Sequence, residues 1–174
     1  MIVFVAEKYK QIEPADVYVS IEQFDAIRAD RDNGIPHPEI TSIRLTGNDF
    51  FNLFATIVEE GVGLRLSGIA KAMGVKPGLL GPAIEAMSGL TAYQWVVQYQ
   101  HMSACDKLRT RWRVSDVASS LGFSVSGFSH FFYRMENCSP TEYIKARHRR
   151  SHSGSRRQGQ LIVPSLAKHT AVPS

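Results

Sequence analysis

Residues 114–144 read VSDVASSLGFSVSGFSHFFYRMENCSPTEYI, and they have the grammar of two short helices joined by a tight turn. Ser115 stands where it can cap the first helix, and the small Ala118 lets a second helix come close. Gly122 ends that helix, because glycine takes the left-handed conformation without a Cβ penalty. Phe128, Phe131, Phe132 and Met135 follow at i, i+3, i+4 and i+7, which is one apolar stripe. Ser139, Pro140 and Glu142 then combine a capping box with proline at the first helical position, a start signal for a third helix.

The same grammar occurs once more, 48 residues earlier, in LSGIAKAMGVKPGLLGPAIEAMSGLTAYQWV (66–96). Without a gap, Ser67 falls on Ser115, Ala70 on Ala118, Gly74 on Gly122, Leu80 on Phe128, Ile84 on Phe132 and Trp95 on Tyr143. Thr91 with Gln94 forms the equivalent cap. Two helix-turn-helix units at a fixed offset are a far more specific signal than one. The first copy contains GVKPGLLGPAIEAM (74–87), where glycine and proline cost ~1 and ~3 kcal/mol in a helix interior. These breakers suggest a helix that starts late, with Gly81 as cap and Pro82 at the first position, and that keeps its packing but has lost its reading surface.

Working outward, a longer helix over 92–109 links the copies. Asn48 caps DFFNLFATIVEE, whose stripe is read as Phe51, Leu53, Phe54 and Ile57, and Gly61 stops it. Upstream are β-like runs at 2–6, 17–20 and 40–46, a helix at 21–30 and a loop at 33–38. The expected fold is mainly α, two helix-turn-helix subdomains joined by a linker helix and preceded by a short α/β-like segment. Its parts are an acidic segment 1–47 for dimerisation or partner binding, a DNA-binding domain 48–148, and a basic tail 149–174 that reads as disordered.

The run DVASSLGFSVSGFSHFFYRMENCSPTEY (116–143) resembles the signature of AraC/XylS-type bacterial transcription regulators. Asp116, Val117, Ala118, Gly122, Phe123, Ser124, Phe128, Ser129, Phe132, Cys138, Ser139, Pro140 and Tyr143 carry the match. The resemblance covers about 48–148 and implies recognition helices in successive major-groove segments, with RNA polymerase as a partner. Departures are a turn shorter by one residue between Gly122 and Phe128, His130 and Gln100 where arginine is common, and Glu136 where a core aromatic often stands. The residues ahead of position 48 are too few for the sugar-binding barrel of many members, so a small-molecule effector is not expected.

Charge agrees with a polyanion partner. Residues 1–60 hold five Lys/Arg and eleven Asp/Glu, and residues 61–174 hold fifteen and five, so an acidic head precedes a basic body and the whole is +4. Cys105 and Cys138 are too few for a disulfide framework, and the six histidines show no metal-ligand spacing, so no metal or cofactor is expected. No catalytic set is visible. No membrane span or signal peptide is read, and the expected location is the cytoplasm.

Subtracting the apolar stripe from the second recognition helix leaves Ser126, Gly127, Ser129, His130, Tyr133 and Arg134 outward. His130 and Arg134 are one turn apart and point the same way. His130 and Ser129 suit bases, while Arg134 is shared between base and phosphate; a merely solvated face is the bland alternative. Gly81, Pro82, Glu85 and Ala86 are the first-copy equivalents, and none offers a bidentate donor. Lys71 and Lys76, which flank the first motif, are phosphate candidates, as are the basic runs KLRTRWR (107–113), with Arg111 and Arg113, and KARHRR (145–150). The expected function is a sequence-specific regulator on double-stranded DNA, read mainly by the second motif. The alternative is an interaction protein or co-regulator with a degenerate first helix-turn-helix that binds a partner regulator and contacts DNA only nonspecifically; a homodimer or a protein co-regulator is the further partner expected.

Overall fold

The computed structural model describes residues 11–34, 43–61, 64–110 and 112–154, with backbone alone at 31 and 148–154. The helices are α1 (Pro14–Val17), α2 (Ile21–Asp32), α3 (Asp49–Glu59), α4 (Leu66–Ala72), α5 (Pro77–Ser88), α6 (Ala92–Arg109), α7 (Val114–Ser120), α8 (Val125–Glu136) and α9 (Pro140–Gly154). The β-like run at 2–6, residues 35–38 of the loop, residues 40–42, Arg111 and the tail from 155 lie outside the described residues. The run at 17–20 is not a strand. Val17 closes α1, and Arg44 N–H donates to the Val17 carbonyl at 2.8 Å. Val17, in a helical core, and Val19 are buried, and among the described residues no strand lies beside this run.

That core is the first of two. Phe51, Phe54, Ile69, Leu80, Ile84, Trp95, Val96 and Tyr99 build it from α3 to the first half of α6. Trp95 is its hub, stacked on Tyr99 at 5.2 Å and met edge-on by Phe51 at 5.3 Å. Leu53, expected on the α3 stripe, is 46% exposed, because Phe51, Phe54, Ala55, Ile57 and Val58 form the buried face. The second core takes Ala104, Cys105 and Leu108 from the other half of α6, with Val117, Ala118, Leu121, Phe128 and Phe132. One helix therefore serves both subdomains.

The N-terminal segment is part of the first core. Val17 and Ile43 are fully buried in it, Trp95 Nε1 donates to the Ile12 carbonyl at 3.1 Å, and Ile12 N–H donates to Met87 O at 3.1 Å. Tyr18 lies edge-on to Tyr99 at 5.4 Å and donates to Asp106 Oδ2 at 2.9 Å, which also accepts from Ile21 N–H at 2.7 Å. Burial, followed by this hydrogen bond, holds the Tyr18 hydroxyl well above the usual phenol range.

The two copies repeat the same local geometry. Gly74 and Gly122 both have positive φ, 70° and 74°. Val75 N–H returns to Ala70 O at 3.0 Å, and Phe123 N–H to Ala118 O at 2.9 Å. α5 and α8 each have twelve residues and end on left-handed Gly89 and Asn137. Thr91 with Gln94 and Ser139 with Glu142 make the expected reciprocal caps. Ser67 and Ser115 do not cap. The caps of α4 and α7 lie two residues earlier, at Arg65 and Arg113, so that Leu66 and Val114 pack against the two cores.

α5 also starts early. Lys76 precedes Pro77 at the first helical position, and Pro82 sits inside the helix, contrary to the late start with Gly81 as cap. Pro77 already supplies the preset φ for the start, and Leu80, held at 1% exposure, needs the preceding turn to reach the core. α9 continues as helix to Gly154, past the boundary read at 148. Gly61, at φ 79°, lets the end of α3 touch the end of α7: a Cβ there would lie 2.4 Å from the Ser120 carbonyl oxygen. Among the described residues, no helix is long and apolar enough to cross a membrane.

Candidate nucleic-acid interface

α8 is fixed by its buried side and open on the other. Phe128 and Phe132 are fully buried, and Phe132 meets Tyr143 of α9 edge-on at 5.2 Å. Met135, expected to complete the stripe, is 37% exposed, because α9 closes this end of the core before the helix reaches it. Ser124 caps the helix by accepting Gly127 N–H at 3.1 Å, which occupies that amide. This also sets the first helical residue at Val125, in register with Pro77 of the first copy.

Ser126, His130, Tyr133 and Arg134 are all exposed, Tyr133 by 58%, and Gly127 and Ser129 are half-buried. His130 and Arg134 share one face at i and i+4, and neither enters an ion pair among the described residues. Ser129 Oγ donates back to Val125 O at 2.9 Å, so its proton is engaged and its oxygen is left to act as an acceptor. Val125, 52% exposed at the start of α8, was missed by a reading that sought polar groups.

The equivalent surface on α5 has different chemistry. Leu79 is 64% exposed, with Pro82, Glu85 and Ala86 also outward and Gly81 half-buried. The face is apolar with one carboxylate.

Lys71, Lys76 and Arg113 are exposed beside the two units. Arg111 lies outside the described residues. Lys107, within the basic run 107–113, is not available: its Nζ donates to Ser120 Oγ at 3.1 Å and lies 5.6 Å from the centre of the Trp112 ring. Burial lowers its pKa, opposed by Glu59 and Asp106. It serves the junction between subdomains, near Gly61. Further on, Lys145 and Arg147 are exposed, with Arg147 donating to the Tyr143 hydroxyl at 3.1 Å.

The family whose model is described as a helix-turn-helix domain matches residues 69–146. No curated protein matches the chain. Solved structures similar to it include the C-terminal domain of AraT, a response regulator from Geobacillus stearothermophilus, at 20% identity and TM-score 0.49 over 56% of this chain and 84% of that one. The C-terminal domain of the response regulator yesN from Fusobacterium nucleatum aligns at 20% identity and TM-score 0.48, over 56% and 99%. A DNA-binding transcriptional dual regulator from Escherichia coli K-12 aligns at 22% and 0.47, over 60% and 96%.

Proposed function

We propose that residues 69–146, which match the helix-turn-helix family model, are a DNA-binding domain of AraC/XylS type, and that this chain is a transcription regulator that reads double-stranded DNA through α8. The carrying observation is the outward face of α8, where His130, Tyr133 and Arg134 stand exposed on a helix whose other face is locked by Phe128 and Phe132. Rigid backing matters, because a base contact is specific only when its donor cannot wander.

With α8 in the major groove, Arg134 can pair with guanine O6 and N7, and His130 one turn earlier can bond a neighbouring base edge. Ser129, its proton given to Val125, acts as an acceptor and so suits the amino group of cytosine or adenine. Ser126 and the start of α8 meet the backbone. Lys71, Lys76, Arg111 and Arg113 neutralise phosphates, each contributing ~0.9 to the salt slope. α5 props the first subdomain, and Glu85 there repels phosphate. The protein acts by binding and not by catalysis, with RNA polymerase as its onward partner.

The test is selection of binding sites from random duplex DNA by the purified chain. A single box is the expected result. Two boxes one helical turn apart would make α5 a reader as well. No preference above nonspecific binding would replace this reading with that of a co-regulator docking through a protein partner.

A further inference from the structure

Position 88 of the first copy and position 136 of the second are equivalent in the repeat, yet they behave differently. Ser88 is buried and satisfied locally, donating to Ile84 O at 2.7 Å and accepting Leu90 N–H at 3.2 Å. Glu136 reaches away from α8 to the linker helix. Its Oε1 lies 2.7 Å from His101 Nε2 and 3.7 Å from Cys105 Sγ, and Cys105 Sγ lies 3.4 Å from that same nitrogen. The architecture does not need this cluster, since the first copy is built without it.

We propose that His101, Cys105 and Glu136 form a zinc site with three protein ligands and a fourth position open to water. One nitrogen, one sulfur and one carboxylate oxygen lie within 4.8 Å of one another. A tetrahedral zinc with ordinary bond lengths places S and N ~3.5 Å apart, S and O ~3.6 Å, and N and O ~3.4 Å. Two of the three edges already have these lengths. The third, now a direct hydrogen bond of 2.7 Å, has to open by ~0.7 Å as the metal takes its place.

The donor set selects the ion. A thiolate and an imidazole favour zinc over the oxygen-seeking calcium and magnesium. One thiolate and one carboxylate also balance the charge of Zn²⁺, so a half-buried site stays neutral. Cys105 is buried at 7% exposure, whereas the His101 and Glu136 side chains are 24% and 29% exposed, which leaves a path from solvent. The ligand spacing absent from the sequence reading is present in space: His101 and Cys105 are i and i+4 on α6, and the third ligand comes from a helix distant in sequence. A bound ion would fasten the last turn of α8 to the linker helix, whatever α8 contacts.

The experiment uses the full chain carrying Cys138→Ser, which leaves Cys105 as the sole thiol. Cobalt(II) should give a thiolate-to-metal charge-transfer band and intense tetrahedral visible bands, bleached by one equivalent of zinc. Cys105→Ser and Glu136→Gln, each titrated with zinc against a chromogenic chelator, should lose at least ~100-fold in affinity, since even outer-shell changes cost 10–100-fold. Zinc should also raise the melting temperature. The C-terminal stretch from 148 carries His148, His152 and His169 but no cysteine, so the sulfur band separates the two sites. Cobalt bound without that band, or variants that keep the full zinc affinity, would overturn the proposal. Where a variant loses its helical circular dichroism, the cobalt spectrum of the Cys138→Ser chain decides alone.

Discussion

α5 and α8 share a backbone and differ in what they present. Both have twelve residues, follow a left-handed glycine turn and end on a left-handed cap. Inward, Leu80 and Ile84 answer to Phe128 and Phe132, and all four are buried to 1% or less. Outward, Leu79, Pro82, Glu85 and Ala86 stand against Gly127, His130, Tyr133 and Arg134. A core holds its own positions fixed, because every one of them touches neighbours. The solvent face carries no such constraint, so duplicated units diverge there first.

The comparison can be broken by stability measurements in urea. Phe132→Ala should cost ~3–5 kcal/mol, as deletion of a fully buried ring does, whereas Leu79→Ala on the exposed face should stay within ~0.5 kcal/mol. Equal effects would mean that the two faces are not as distinct as the burial pattern makes them.

Next in size is Pro82→Ala. A proline inside a helix costs ~3 kcal/mol, of which ~1 kcal/mol is returned by its stiffening of the unfolded chain. The alanine variant should therefore be more stable by ~2 kcal/mol. A neutral result would move the helix start back to Pro82.

Gln100, in the middle of the shared helix α6, sharpens the comparison at its axis. It is fully buried, and neither Nε2 nor Oε1 has a hydrogen-bond partner among the described residues. Gln100→Leu should stabilise by ~1–2 kcal/mol, because unsatisfied buried polar groups cost about that much. A loss of stability would show that the amide has a partner of its own.

The smallest effect is one of pH. Burial raises the Glu59 carboxyl above its ordinary value, opposed by the Tyr99 hydroxyl, which donates to it at 2.9 Å. The folded state thus holds this proton more tightly than the unfolded chain. Its contribution is full below the unfolded value of about 4.3 and is lost as pH rises through the raised folded value. Glu59→Gln keeps an acceptor for Tyr99 and should flatten that decline. An unchanged pH profile would show that Glu59 is not the group responsible.

The repeat was legible because helix periodicity, glycine turns and caps are local. They located α3, α4 and α6 to α9 to within a residue or two at each start, together with the buried pairs, whereas α5 begins at Pro77, five residues before the start read at Pro82. Two local readings failed where packing overrode them: Ser67 and Ser115 lost their capping role to an earlier start, and Pro82 was absorbed into a helix begun by Pro77. The N-terminal segment was illegible as part of the first core, since Ile12, Val17 and Ile43 reach Trp95 and Tyr99 from far along the chain. Glu136 was noticed only as a departure from an aromatic. Nothing local joins it to His101 and Cys105. Of the outward residues, the sequence identified His130, Tyr133 and Arg134 by subtraction, and their exposure follows from the same periodicity.

The central claim is that α8 reads bases and α5 supports it. The direct measurement is the base-preference profile of the intact chain beside the variants His130→Ala with Arg134→Ala, and Glu85→Ala. The first pair should flatten the preferred box, at ~1–3 kcal/mol for each lost base contact. Glu85→Ala should leave the preference intact and tighten binding to all sequences alike. A box that survives loss of His130 and Arg134, or that changes with Glu85, would contradict the account.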